Sequence, residues 1–257
     1  MGRTFVFVNQ KGGVGKTTSA LNLGAFLAEA GKTALLVDFD SQANLTSGIG
    51  LEKSRPGIYE LISEQAILKE TIRETAVPGL ALIPSGIDLA GAAAELVDQE
   101  GREFYLRNAL EDARGRYDFI LIDCPPSLGL LTLNGLAAAD SVLIPMQCEY
   151  FAMEGLTLLL ETIRRVQKSL NPALKIGGIF FTMYDQRTRL AQDVVRDVSA
   201  YFKDKVFTTI IPRNVKLSEA PSHGLPISLY DPAGAGAKAY KSLAGELIQR
   251  CEEGANG

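Results

Sequence analysis

The chain has 257 residues, 46% hydrophobic and 22% charged, which fits one large α/β domain that buries enough surface to need no disulfide staples. The net charge of −4 argues, on bulk charge alone, against a nucleic-acid binder, and three scattered cysteines, Cys124, Cys148 and Cys251, read as free thiols of a reducing compartment. No basic-then-apolar leader opens the sequence and no apolar run reaches the roughly 18–20 residues of a membrane span, so the expectation is a cytoplasmic protein without a membrane anchor.

In chain order, residues 4–9 (TFVFVN) form a short β-rich run that ends at a glycine loop. Residues 17–30 follow with apolar positions at helical spacing and Gly31 as a stop signal. Buried strands are predicted at 33–39, 80–84, 119–123, 141–146, 176–182 and 206–211, and helices at 153–170, 188–202 and 233–252. Short apolar strands alternating with helices predict a mostly parallel, twisted β-sheet covered by helices on both faces, as a single domain over residues 1–257. The Gly-, Pro-, Ser- and Asn-rich stretches 41–60 and 212–237 read as ordered loops above the sheet, and 252–257 as a frayed tail. Charge is uneven: residues 161–216 carry eleven Lys/Arg and five Asp/Glu, a local +6, which leaves −10 for the remainder and keeps a localised anion-binding face open.

Residues 9–18 read NQKGGVGKTT. The phosphate-loop pattern G-x-x-x-x-G-K-[ST] asks for glycine where Gln10 stands, and a second lysine, Lys11, follows it. The strand-loop-helix context supports a phosphate loop. Gly12, Gly13 and Gly15 let successive N–H groups turn inward around Val14, and the helix that opens at Thr17 and Thr18 adds its positive end. Lys16 is placed to reach the β- and γ-phosphates and the Thr17 hydroxyl to hold Mg²⁺. Three carboxylates belong to the same chemistry. Asp38 and Asp40 share one side of a strand's C-terminal end, and Asp123 closes the apolar run FILID as a Walker B acid, expected to reach Mg²⁺ through water.

KGGVGKTT resembles the deviant Walker A motif of the ParA/MinD family of P-loop ATPases, a group that includes the nitrogenase iron protein and the arsenite-pump ATPases. The resemblance implies an ATP-bound homodimer in which Lys16 acts on its own nucleotide and Lys11 crosses to the partner's, doing the work of an arginine finger. DFDSQANLTSGIG resembles the family's D-x-D-P-Q-x-N segment, with Ser41 in the proline's place. It implies that Asp40 orients the attacking water, that Asp38 supports the metal or the loop, and that Asn44 is a nearby polar contact. DCPPSLGLLTLNGL resembles switch II.

IPMQCEYFAMEGL and IIPRNVKLSEAPSHGLPISLYDP resemble the chromosomal ParA branch. This implies that Pro212 and Asn214 line the adenine pocket and that Arg187, Arg189 and Lys216 contact DNA. Residues 182–185 (TMYD) stand where GTPases carry N-K-x-D, and Thr182 and Met183 in place of Asn and Lys weaken a GTP reading. The branch implies non-specific binding of double-stranded DNA by the ATP dimer, nucleoid association, hydrolysis stimulated by a partner of the ParB/Spo0J type, and contact with the replication initiator DnaA. Two alternatives stand beside it: a MinD-like positioning switch acting through proteins without DNA, and a metabolic or metallocluster ATPase. The acidic tail lacks MinD's basic amphipathic anchor, Cys124 and Cys148 lack the iron protein's pattern, and His223 reads as structural.

Overall fold

The computed structural model describes residues 2–96, 98–150 and 152–253. Seven strands form one sheet: β1 (Arg3–Phe7), β2 (Ala34–Asp38), β3 (Arg73–Glu74), β4 (Leu80–Ile83), β5 (Phe119–Asp123), β6 (Ser141–Gln147) and β7 (Lys175–Thr182). Their spatial order is β3-β4-β2-β5-β1-β6-β7. Every neighbouring pair is parallel except β3 with β4.

The central strands are apolar because both faces are covered. Successive side chains alternate between two cores. Val6, Leu35, Ile120, Ile122 and Val142 join one core with Leu136, Leu156, Leu159, Ile163 and Val198. Phe5, Phe7, Leu36, Leu121 and Leu143 join the other with Leu23, Leu27, Tyr240, Leu243 and Leu247. On the second face the helix Lys16–Glu29 packs against the terminal helix Ala235–Glu253, and a buried Ser19–Tyr240 hydrogen bond of 2.9 Å joins the two helices.

The predicted sheet and its two helical layers are present, with strand ends shifted by a residue or two. One predicted strand is not. Residues 206–211 form no regular ladder with the sheet: they pair through an isolated Ile179–Val206 bridge and the N–H groups of Phe207 and Ile211, which donate to Ile179 and Phe181 of β7. Between those points Glu246 of the terminal helix takes the N–H groups of Thr208 and Thr209 at 2.9 and 3.1 Å, so a carboxylate replaces the ladder. The stretches read as loops also hold short helices, Asn44–Gly48 and Ile58–Ile62 in the first, Val215–Glu219 and Ile227–Tyr230 in the second. Glu252 and Glu253 belong to the terminal helix, and 254–257, the rest of the expected tail, lie outside the described residues. Cys124, Cys148 and Cys251 are free.

Candidate active site

Because β2, β5 and β1 are neighbours, their C-terminal ends bring together residues far apart in sequence. Asp123 stands in register with both Phe7, four residues before Lys11 of the glycine loop, and Asp38. Ligands of open α/β sheets bind at this edge.

The loop from Lys11 to Gly15 is held from behind. Gly13 and Gly15 adopt left-handed φ values of 73° and 86°, which glycine reaches without strain. The Val14 carbonyl accepts from the Thr182 hydroxyl at 2.8 Å and the Gly13 carbonyl from Gln147 Nε2 at 2.9 Å. With two carbonyls tied back to the ends of β6 and β7, the opposite side of the loop stays open: a Cβ added at Gly12 or Gly13 would meet nothing within 4 Å. The first turn of the helix Lys16–Glu29, with Thr17 and Thr18, adds N–H groups that have no intrahelical partner.

The two lysines point to different places. Lys16 is buried, its ammonium 3.1 Å from the Asn9 carbonyl and 3.4 Å from that of Lys11. Burial pushes its pKa down, against the pull of Asp123, Cys124 and Asp40. Lys11 is half exposed and pairs with Glu149 on the loop after β6.

The carboxylates differ just as sharply. Asp123 is 1% exposed, and burial followed by the neighbouring Asp38 charge pushes its pKa up to about 8, while the Thr17 hydroxyl and Lys16 pull it down. Its Oδ1 is buried without a hydrogen-bond partner. Asp38 is fully buried and raised to about 6, chiefly by burial. Its Oδ2 accepts from the Thr46 hydroxyl and N–H at 2.7 and 2.8 Å, and its Oδ1 from the Asp40 N–H at 3.3 Å. Of the two roles expected for Asp38, holding the loop is the one these contacts serve. Asp40 stays accessible and borders a cavity of about 630 Å³ with Gly12, Lys16, Thr17, Asn44 and Cys124. This cavity is the candidate phosphate pocket.

A second cavity, of about 560 Å³, lies on the other side of the loop and shares Gly15, Thr18 and Met183 with the first. Pro212 and Asn214, the two residues expected at an adenine pocket, line it together with Gln147, Cys148 and Asp185. Asn214 also caps the helix Val215–Glu219, its Oδ1 accepting the Lys216 N–H at 2.8 Å. The segment after β7 is locked to this wall: the Tyr184 N–H donates to the Ile211 carbonyl at 3.1 Å, and the Arg213 N–H to Tyr184 at 3.0 Å.

The basic residues singled out in the sequence are exposed, and each has an acid beside it. Arg187 pairs with Asp185, Arg189 lies 4.0 Å from Asp193, and Lys216 lies 2.8 Å from Glu219. His223 stacks on Tyr230, with ring centroids 5.0 Å apart. Sequence reasoning gave no role to Thr46, Gln147 or Glu149. Thr46 carried a usable signal, a hydroxyl eight residues beyond a buried aspartate, whereas the contacts of Gln147 and Glu149 depend on how the loop after β6 folds back.

A family model described as an AAA domain matches residues 2–176. The chain is 65% identical, over 97% of its length and 98% of the relative's, to the chromosome-partitioning ATPase Soj of Treponema pallidum (strain Nichols). It is 55% identical, over 96% and 98%, to the sporulation initiation inhibitor protein Soj of Bacillus subtilis (strain 168). The chain belongs to the ParA/MinD family of P-loop ATPases. Among solved structures, a Mycobacterium smegmatis protein described as cobyrinic acid a,c-diamide synthase, bound to an ATP analog and magnesium, superposes with a TM-score of 0.88 at 39% identity, over 99% of this chain and 97% of that one. The septum site-determining protein MinD of Pyrococcus horikoshii, complexed with Mg-ADP, gives 0.77 at 26% identity, over 96% of each chain.

The donor set suits the family's Mg²⁺. Thr17 offers a hydroxyl, Asp123 offers an orphaned buried oxygen, and a small hard cation that keeps several waters needs little more from the protein than this. Among the described residues no three His, Cys, Asp or Glu side chains gather into a metal-holding group, and no helix is long and apolar enough to cross a membrane.

Proposed function

We propose that this chain is a chromosome-partitioning ATPase that forms a homodimer on ATP, binds double-stranded DNA without sequence preference in that state, and lets go after hydrolysis. The observation that carries the reading is the divergence of two lysines on one loop, Lys16 turned in and Lys11 turned out. A single triphosphate site has no use for the outward lysine. A face-to-face dimer does, because it brings a second loop to each nucleotide.

The triphosphate lies along the open side of the loop, against the N–H groups from Gly12 to Thr18. Lys16 exchanges its two backbone carbonyls for phosphate oxygens. Lys11 leaves Glu149 and places its charge where negative charge builds up on the partner's phosphates. Asp40, accessible at the edge of the phosphate pocket, accepts a hydrogen bond from the attacking water and aims it. Asp38 holds Thr46, and with it the segment that carries Asp40, in register. Thr17 directly, and Asp123 through water, would hold Mg²⁺, which would supply neutralisation of phosphate charge. Pro212 and Asn214 line the pocket for adenine.

Arg187, Arg189 and Lys216 are the proposed DNA contacts. They carry no base-reading geometry of their own, and weak phosphate contacts doubled by dimerisation make binding conditional on ATP. Stimulation by a ParB-type partner, an influence on DnaA and nucleoid association follow from the likeness to the partitioning ATPases. The test is an electrophoretic shift of non-specific DNA with no nucleotide, ADP or ATP, using Asp40→Ala to hold the ATP state. Retardation with ATP alone is expected. Equal retardation in all states would break the switch, and none in any state would favour a positioning protein that acts through protein partners.

A further inference from the structure

The base pocket carries an acid that the proposed mechanism leaves unused. Asp185 lines the cavity beside Pro212 and Asn214. A free carboxylate on the wall of a base pocket favours guanine, whose N1–H and N2–H₂ donate side by side to its two oxygens. Adenine offers one donor, N6, next to an acceptor, N1, which a carboxylate repels. An unpartnered Asp185 would therefore work against an ATP site.

It is not unpartnered. Oδ1 of Asp185 accepts from Arg187 Nε at 2.9 Å and from the Arg187 N–H at 3.0 Å, and Oδ2 accepts from Arg187 Nη2 at 2.7 Å. The guanidinium fork presents two parallel donors to the carboxylate, as the guanine edge would. The backbone at Asp185 is also held, since its carbonyl accepts the Thr188 N–H at 3.1 Å and the Thr188 hydroxyl at 3.0 Å. The Arg187 bonds pull the Asp185 carboxyl down to about 2, so the acid stays ionised and paired across the physiological range.

We propose that Arg187 is a specificity-determining residue, which keeps the nucleotide site selective for adenine by occupying the Asp185 oxygens that would otherwise read guanine. It acts through Asp185 and is a positioning residue. The inference rests on the nucleotide-binding reading above, and it is independent of any DNA contact by the same side chain.

The experiment is calorimetric titration of ADP and GDP with Mg²⁺ and without DNA, diphosphates being chosen so that dimerisation does not enter. Wild type should prefer ADP. Arg187→Ala, a change at a side chain 84% exposed and so without consequence for folding, should move the ADP-to-GDP affinity ratio toward GDP by roughly tenfold or more, the worth of charge-assisted hydrogen bonds to a freed carboxylate. Arg187→Lys keeps the charge but not the fork and should fall between. Arg187→Ala combined with Asp185→Asn should return the ratio to the wild-type value, which a general loosening of the pocket would not do. An unchanged ratio in Arg187→Ala with ADP still bound would overturn this inference alone, as would a shift that persists in the double variant. Failure of wild type to bind ADP would overturn the nucleotide reading and this inference with it.

Discussion

Asp123→Asn should make the nucleotide-free protein more stable while weakening its use of Mg²⁺. The carboxyl titrates near 8 in the fold against 3.8 when unperturbed, because it is buried and faces Asp38. The native state therefore keeps a proton that the unfolded chain releases, and its stability falls as pH rises through that window. At about pH 7 a shift of this size corresponds to roughly 4 kcal/mol. Water in the adjoining pocket screens part of it, yet a quarter, about 1 kcal/mol, still raises Tm by about 2–4 °C in a chain of this length. Asn keeps the shape and lacks the charge. Thermal melts without nucleotide at pH 5 and pH 8.5 should show little difference at the lower value and a more stable variant at the higher one. In parallel, the gain in ADP affinity on adding Mg²⁺ should shrink in the variant. A variant less stable than wild type at both pH values, or one with the wild-type pH slope, would refute the assignment of Asp123 as an uncompensated buried carboxylate.

Lys11→Ala should leave binding of ATP to the monomer within about threefold of wild type but abolish the ATP-induced dimer, read by light scattering, because that side chain faces outward on Glu149 and not into its own phosphate pocket. A dimer that persists would remove the role in trans. Thr46→Val should lower Tm, since the buried Asp38 carboxylate loses a 2.7 Å donor and the Ser85 N–H loses its 3.1 Å acceptor, at a cost of about 2–4 kcal/mol; an unchanged Tm would mean that Thr46 does not clamp the segment that carries Asp40. Gly135→Ala should cost about 1–3 kcal/mol in denaturant unfolding, because its Cβ would sit 2.6 Å from Cys124 Sγ and 3.0 Å from Val6, where the helix Leu130–Ala138 presses onto the sheet. Arg187→Ala with Lys216→Ala should weaken DNA binding and reduce the log–log salt slope by about 0.9 for each DNA phosphate that is no longer neutralised, and an unchanged slope would take DNA away from this face.

The central strands and the nucleotide loop were legible in the residues because their signals are local. Runs such as FILID and ALLVD are apolar on both faces, which only a covered parallel strand accommodates, and GGVGKTT meets a backbone requirement inside seven residues. The likeness to a family then suggested the roles of Asp40, Pro212 and Asn214, and in the fold Asp40 borders one cavity beside the loop while Pro212 and Asn214 line the other. What failed was local pattern without a partner. VFTTII at 206–211 has the composition of a strand, but its middle amides find Glu246 of a helix some forty residues later. The two-residue β3 pairs because β4 leaves an edge beside it, and nothing in Arg73 and Glu74 themselves announces it.

The sequence by itself determined the chemistry on offer: a phosphate cradle, two lysines, three acids and a basic stretch. Tertiary structure decided which of these groups are free to act. Packing side by side of β2, β5 and β1 put Asp38 and Asp123 in register, so burial raised both, the Asp38 charge raised Asp123 further, and of the two only Asp123 kept an oxygen without a partner. The fold also gave Thr46 to Asp38 and Glu149 to Lys11, while a local turn gave Arg187 to Asp185. Long-range pairings of this kind depend on where loops meet above the sheet, and solvation and charge at that edge are properties of the assembled surface that no window of sequence contains.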